Sequence, residues 1–210
     1  METTAKNATN AYRLNLKEKI LKTANTFFHS QGIKSVKMDD IAHHLTISKR
    51  TLYELYGNKE ELLLACIKRG QEELSLHIQE KVNEGANIME IFIELIAKKI
   101  ETVNHIHPRY FTEINKYPSV MAYLDKKREE NQANSESFFR KGVEEGYFLP
   151  DINFNIVVEI SNNCVEHVMS SEMYNHYPLH EINRTITIVF VRGLCTEKGV
   201  KCIDQMLAKL

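Results

Sequence analysis

Residues 38–59 read MDDIAHHLTISKRTLYELYGNK, and the spacing within them decides the fold. Ile41, Ala42 and Leu45 fall on one side of a short helix over residues 39–45. Ser48 is a natural N-cap for a second helix through Tyr56, because its hydroxyl can accept an amide proton left unpaired at a helix start. Two short helices joined by about four residues, with small Ala42 where they must approach closely and apolar Ile47 in the turn, make a helix-turn-helix. The second helix opens on Ser48, Lys49, Arg50 and Thr51, while Leu52 and Leu55 are left to pack inward. That division suits a recognition helix, whose first turn reaches base edges in the major groove of duplex DNA. Lys49 and Arg50 can donate either to guanine or to phosphate. Tyr53 and Tyr56 follow, and Lys59 opens the next helix, where free amides and the positive dipole end can hold a phosphate.

On the N-terminal side, residues 16–31 form a first helix whose buried stripe is Leu16, Ile20, Ala24, Phe27 and Phe28, and Gly32 ends it. Asn58 caps a long fourth helix that begins Lys59-Glu60-Glu61, with both acids at its positive end. Past Gly85, helices are expected over about residues 88–105, in a short piece opened by Pro108, over about 118–146 and about 154–173, and from about 179 to the C-terminus with an interruption near Gly199. Eight Gly and four Pro in 210 residues, with no alternating β-branched runs between turn signals, leave no sign of a sheet. The chain reads as all-α with about nine helices, divided into a small front domain over residues 1–58 and a larger helical body over residues 59–210.

Charge is unevenly distributed over these parts. Residues 1–58 carry nine Lys and Arg against five acids, a net of +4, whereas the remainder carries 18 against 23, a net of −5. A basic front on an acidic body is what a protein needs when only one part meets phosphate. The four cysteines show no CxxC pair and no ladder of a secreted scaffold, so reduced thiols in a cytoplasmic protein are expected. Residues 1–13 are polar, and no run approaches the roughly 20 apolar residues of a membrane span. No HExxH, GxSxG, phosphate-binding loop or GxGxxG occurs, so no enzyme, cofactor or catalytic residue is expected. His105 and His107 would diverge along a helix, as would His43 and His44, and no metal site is expected.

The front of the chain resembles the tetracycline-repressor (TetR) family of bacterial regulators. The resemblance is carried by Ile20, Ala24, Phe27, Phe28 and Gly32, then by Ile41-Ala42, Ile47-Ser48, Thr51-Leu52-Tyr53, Tyr56 and Lys59-Glu60-Glu61-Leu62. It implies a helix-turn-helix DNA-binding domain followed by a helical ligand-binding and dimerisation domain. It further implies a homodimer on a palindromic double-stranded operator, acting as a repressor and released by a small-molecule effector. In the family's pattern Tyr53, Tyr56, Lys59 and Lys37 correspond to phosphate contacts; the other reading of the tyrosines is that they close the core of the small domain. Two positions depart from the pattern. Thr46 stands where the family commonly has Gly, and a left-handed backbone there costs a β-branched residue roughly a kcal/mol or more. Leu55 replaces a common aromatic or His. An activator or a ligand-independent DNA binder of the same fold is the alternative, with a helical protein adaptor a distant third.

Half-sites one DNA turn apart call for a two-fold symmetric protein. In the last helices Ile182, Ile186, Val189, Phe190, Gly193 and Leu194 form a sustained apolar stripe, and Ile156 and Ile160 keep the same rhythm on the helix before. These are the candidates for a four-helix dimer interface. Candidates for lining an effector site are Tyr110, Phe111, Tyr117, Phe138, Phe139, Asn163, His167 and Met173, aromatic or polar residues on inward faces. Ordinary core packing is the competing reading for the Phe and Met residues, and a satisfied buried pair for Asn163 and His167.

Overall fold

In a computed structural model that describes the backbone of residues 2–208, ten α-helices follow one another. They are α1 (Glu2–Gln31), α2 (Met38–His44), α3 (Lys49–Leu55), α4 (Lys59–Asn83), α5 (Ile88–His105), α6 (Arg109–Glu113), α7 (Pro118–Glu144), α8 (Phe154–Ser170), α9 (Leu179–Gly193) and α10 (Glu197–Leu207). Single 3₁₀ turns cover Ile114–Lys116 and Met173–Asn175. The side chains described are those of residues 10–208 other than 162, 165, 166 and 169. Among them no helix is long and apolar enough to cross a membrane.

The sequence placed the start of the first helix at residue 16, but α1 begins at Glu2. Apolar periodicity marks only the part that packs: Leu16, Ile20, Ala24 and Phe28 are buried at one-turn intervals, whereas Tyr12 and Leu14 stand in solvent. The interruption expected near Gly199 lies three residues earlier. Thr196 is the N-cap of α10 and its hydroxyl accepts the Gly199 amide, 3.3 Å away, so Gly199 sits inside the first turn. A Cβ there would come within 2.4 Å of the Tyr147 carbonyl, which is why a residue without one occupies the position.

The chain divides into two compact units. The first comprises the chain up to Glu73 together with Ile106–Tyr123; the second comprises Leu74–His105 and the chain from Leu124 on. The functional partition read from the sequence, residues 1–58 and 59–210, therefore does not coincide with the structural one. The start of α4, the whole of α6 and the start of α7 belong to the same compact unit as the helix-turn-helix.

In the first unit the buried residues of α1 are joined by Ile33, Val36, Met38, Ile41, Ala42, Leu52, Leu62, Leu63, Ile106, Tyr110 and Val120. At about 1.5–3 kcal/mol for each fully buried large apolar side chain, this core is what holds the short α2 and α3, which are too short to persist alone. The second unit is built on an aromatic cluster. Phe139 stacks on Phe154 with ring centres 4.4 Å apart, Phe148 and Phe92 meet edge to face at 5.0 Å, and Met89, Leu194, Cys195, Ile203 and Met206 complete the buried set.

Candidate nucleic-acid interface

The turn between α2 and α3 is fixed by backbone hydrogen bonds. The Ile47 amide donates to the Ala42 carbonyl and the Thr46 amide to the His43 carbonyl, each at 3.0 Å, which is the paired pattern of a helix ending in a left-handed residue. That residue is Thr46, with φ +55°. The strain foreseen from the sequence is present, and the two hydrogen bonds hold the turn despite it. At the other end of α2, the Lys37 amide donates to the Asp40 carboxylate at 3.0 Å, fixing where that helix starts.

Ser48 caps α3 as its sequence position predicts. Its hydroxyl oxygen accepts the Thr51 amide at 3.0 Å and lies 2.8 Å from the Thr51 hydroxyl. The two hydroxyls expected at the reading edge are thus engaged with each other and with the cap. Leu52 is wholly buried and Leu55 half-buried, so the inward face is the one predicted. The outward face carries Lys49, Arg50 and Tyr53, all exposed.

Neither cation of that face is free. The Lys49 ammonium pairs with Asp39 of α2, and the Arg50 guanidinium donates to Glu54 one turn on, at 2.7 Å. The acid is the main reason that each cation's pKa is raised, through a hydrogen bond and then through its charge. Both pairs are exposed, where water screens the attraction and an ion pair adds little to stability.

The two tyrosines separate. Tyr53 is 46% exposed and free to meet a phosphate, while Tyr56 is 9% exposed and its phenol is pushed up to about 12, first of all by burial. Of the two readings the sequence left open for Tyr56, closing the core of the small domain is the one this burial fits. Lys37 keeps an exposed side chain ahead of α2.

Lys59 is not positioned as a free phosphate clamp. Its ammonium donates to the carbonyls of Ile33 and Val36, each at 3.0 Å, with Lys34 O further off at 3.4 Å. Burial lowers its pKa, and the charge of Glu113 partly offsets this. The physical reason is that these carbonyls lie in the loop after α1, where among the described residues no backbone amide donates to those of Ile33 and Val36. At the start of α4, Asn58 caps as expected, accepting the Glu61 amide at 3.0 Å, while the Glu61 carboxylate turns back to the Gly57 amide at 3.0 Å.

Two carboxylates tie distant parts of this unit together. Glu113 of α6 accepts the Lys34 amide at 2.6 Å, and Glu60 accepts both the amide and the hydroxyl of Ser119, at 2.8 and 2.6 Å. The His107 amide donates to the His29 carbonyl at 2.6 Å, beside the edge-on contact of the His29 and Tyr110 rings. Only Glu60 gave a signal in the sequence, as an acid in a first helical turn, and that signal did not point to Ser119.

The remaining candidates are scattered. Tyr110 is buried in the first unit, where Phe111 and Tyr117 also lie, both half-buried. Phe138 and Phe139 belong to the aromatic cluster of the second unit, and Met173 lies in a 3₁₀ turn. Asn163 and His167 are exposed, so they are not the buried pair that one reading supposed. Along the proposed interface, Ile156, Ile160 and Val189 are exposed at 52, 45 and 62%, Gly193 is also exposed, and Ile186 and Phe190 are half-buried. Ile182 and Leu194 instead face the interior of their unit.

Residues 20–66 match the family model described as bacterial regulatory proteins, tetR family. The helix-turn-helix segment is of the tetR family. Among curated relatives of the chain is the HTH-type transcriptional repressor KstR2 of Mycobacterium tuberculosis, 24% identical over 143 residues that span 66% of this chain and 72% of the relative. The HTH-type transcriptional regulator UidR of Escherichia coli is 27% identical over 142 residues, 64% of this chain and 70% of the relative. Among solved structures, a TetR-family regulator from Agrobacterium tumefaciens superimposes with a TM-score of 0.69 at 16% identity, over 88% of this chain and 100% of the other. A regulator from Saccharomonospora viridis in complex with choline gives 0.68 at 14% identity, over 87 and 99%. Both curated relatives carry the names of HTH-type transcriptional regulators.

Proposed function

We propose that this chain is a homodimeric TetR-family repressor that places α3 in the major groove of each half of a palindromic operator and releases it when a small molecule binds the second unit. The observation that carries the DNA-reading part is the two-sidedness of α3: Leu52 is wholly buried, while Lys49, Arg50 and Tyr53 face solvent from a helix whose start is pinned by Ser48. That is the arrangement by which a helix-turn-helix reads bases and grips phosphate.

Self-association is supported by Ile156 and Ile160 of α8 and Val189 of α9, three large apolar side chains left in solvent, with Gly193 offering close backbone approach. Scattered apolar residues are ordinary on a surface, but these lie on the two helices whose stripes the sequence marked. The effector is supported by likeness: a fold neighbour is bound to choline, and a repressor relative is described as a ketosteroid transcriptional regulator.

The test is selection of bound duplexes from a random library, followed by light scattering of the protein alone and on its selected site. An inverted repeat bound by two copies is expected. A site without two-fold symmetry, or a monomeric protein at micromolar concentration, would sink the dimeric reading.

A further inference from the structure

Two histidines meet where α6 lies against the end of α1. The His107 amide donates to the His29 carbonyl at 2.6 Å, tying the chain that enters α6 to the last turn of α1. Gly32, with φ +82°, permits this approach, because a Cβ there would stand 3.1 Å from the Arg109 Cβ and from the Glu113 carboxylate. Each histidine ring is placed as a neutral imidazole. The His29 ring is half-buried, meets the Tyr110 ring edge to face with centres 5.1 Å apart, and burial lowers its pKa from the ordinary 6.5. The His107 Nδ1 accepts the Arg109 amide at 3.2 Å, and a protonated nitrogen cannot accept.

The groups packed around this joint offer a proton no partner. Among the described residues they are Arg109 and Glu113 of α6, Lys34 of the loop after α1 and Lys59 of α4, three cations against one acid. That acid is occupied: Glu113 accepts the Lys34 amide at 2.6 Å and stands in the field of Lys59. Tyr110, Tyr117 and Cys66 stay neutral, because burial raises all three. A proton on His29 therefore charges a ring in a partly dry contact, and a proton on His107 costs α6 an amide bond.

The joint also braces the DNA-reading element. Through the Lys34 amide, Glu113 of α6 holds the loop that leads into α2. We propose that His29 and His107 form a proton-operated clasp: acidification from pH 8 to pH 5.5 charges both rings, loosens α6 from α1 and lowers affinity for the operator. The proposal rests on the reading that this chain binds duplex DNA. His29 takes up a proton less readily in the native state than in the unfolded chain, so the joint is fully stable above about pH 6.5 and weakens below it. His43 and His44, exposed on α2, act with the opposite sign, since positive charge gained there favours phosphate.

The test is affinity for the selected operator by fluorescence anisotropy, with urea titration of the protein alone, each at pH 8 and pH 5.5. It compares the parent with His107→Asn and with the double variant His29→Phe, His107→Asn. Asn keeps an acceptor for the Arg109 amide, Phe keeps the edge contact with Tyr110, and neither titrates. The parent should bind roughly tenfold more weakly at pH 5.5, the effect of a one-unit difference in proton affinity between clasped and open states. The double variant should lose no affinity, and His107→Asn, which replaces an exposed side chain, should lose less than the parent. Urea midpoints should fall in the same order. A parent that binds equally or more tightly at pH 5.5, or variants that lose as much as the parent, overturns the clasp. If no duplex binds at either pH, the DNA reading fails, and equal falls of the urea midpoint in the parent and His107→Asn then overturn the clasp by themselves.

Discussion

The Lys59 ammonium lies 3.0 Å from the carbonyl of Ile33, and this contact ties the start of α4 to the loop leading into the helix-turn-helix. Because Val36 shares the same cation at the same distance, Lys59 supplies donors to two carbonyls that have no helix to satisfy them. Lys59→Met should therefore act on stability, lowering it by about 1–3 kcal/mol in urea titration. A phosphate clamp would behave otherwise, flattening the salt dependence of DNA binding by about 0.9 in the log–log slope with stability unchanged. That second outcome would return Lys59 to the interface.

Thr46 offers a test of opposite sign. A β-branched residue at φ +55° carries a penalty that Gly does not, and both amides of the turn are already paired to α2 carbonyls. Thr46→Gly should raise stability by about 1 kcal/mol, read from thermal unfolding, with the same operator sequence selected. A lower melting temperature would mean that the Thr46 side chain holds the turn in some other way.

Glu60 predicts a pH effect. Hydrogen bonds from the Ser119 hydroxyl and then its amide hold this carboxyl below its ordinary value of 4.5. A depressed value means that the native state takes up the proton less readily than the unfolded chain. The stabilisation is therefore complete above the ordinary value and fades as pH falls through the depressed one. Glu60→Gln should be less stable than the parent near neutral pH, and the gap should close in acid. Urea midpoints that differ by the same amount at both pH values would refute the linkage.

These tests mark how far the sequence could be read. The Ser48 cap, the buried Leu52 and the turn at Thr46 were legible because each depends on residues a few positions apart, where helix geometry dictates who meets whom. Lys59 and Glu60 were not. Their partners are 26 and 59 residues away in the chain, and a lysine in a first helical turn gives no local sign of whether it faces phosphate or carbonyl. The stripe on α9 was legible as apolar but not as to side: Leu194 joined the interior, whereas Val189 and Gly193 stayed in solvent.

The stripe itself yields a paired prediction. Val189→Glu should leave helicity and melting behaviour close to the parent's, since the residue is 62% exposed, while converting dimer to monomer in light scattering. Ile182→Ala, at 6% exposed, should instead cost about 2–5 kcal/mol of stability. If both variants lose stability alike and neither changes mass, α9 is not the dimer surface.

The outward face of α3 gives the most direct test of DNA reading. Arg50 is held by Glu54 in the absence of DNA, so Glu54→Gln removes both a competitor for the guanidinium and a negative charge facing the phosphates. Affinity for every duplex should rise, with stability little changed, as befits an exposed pair. Arg50→Ala should relax preference at one base position, costing about 1–3 kcal/mol of discrimination there. Tyr53→Ala, in contrast, should weaken all duplexes by a similar factor, since a phosphate contact carries no sequence information. Competition gel shifts with single-base operator variants separate the two. An Arg50→Ala protein that keeps its full base preference would assign reading to Lys49 or to α3 backbone and hydroxyl groups, and leave Arg50 as one more phosphate contact.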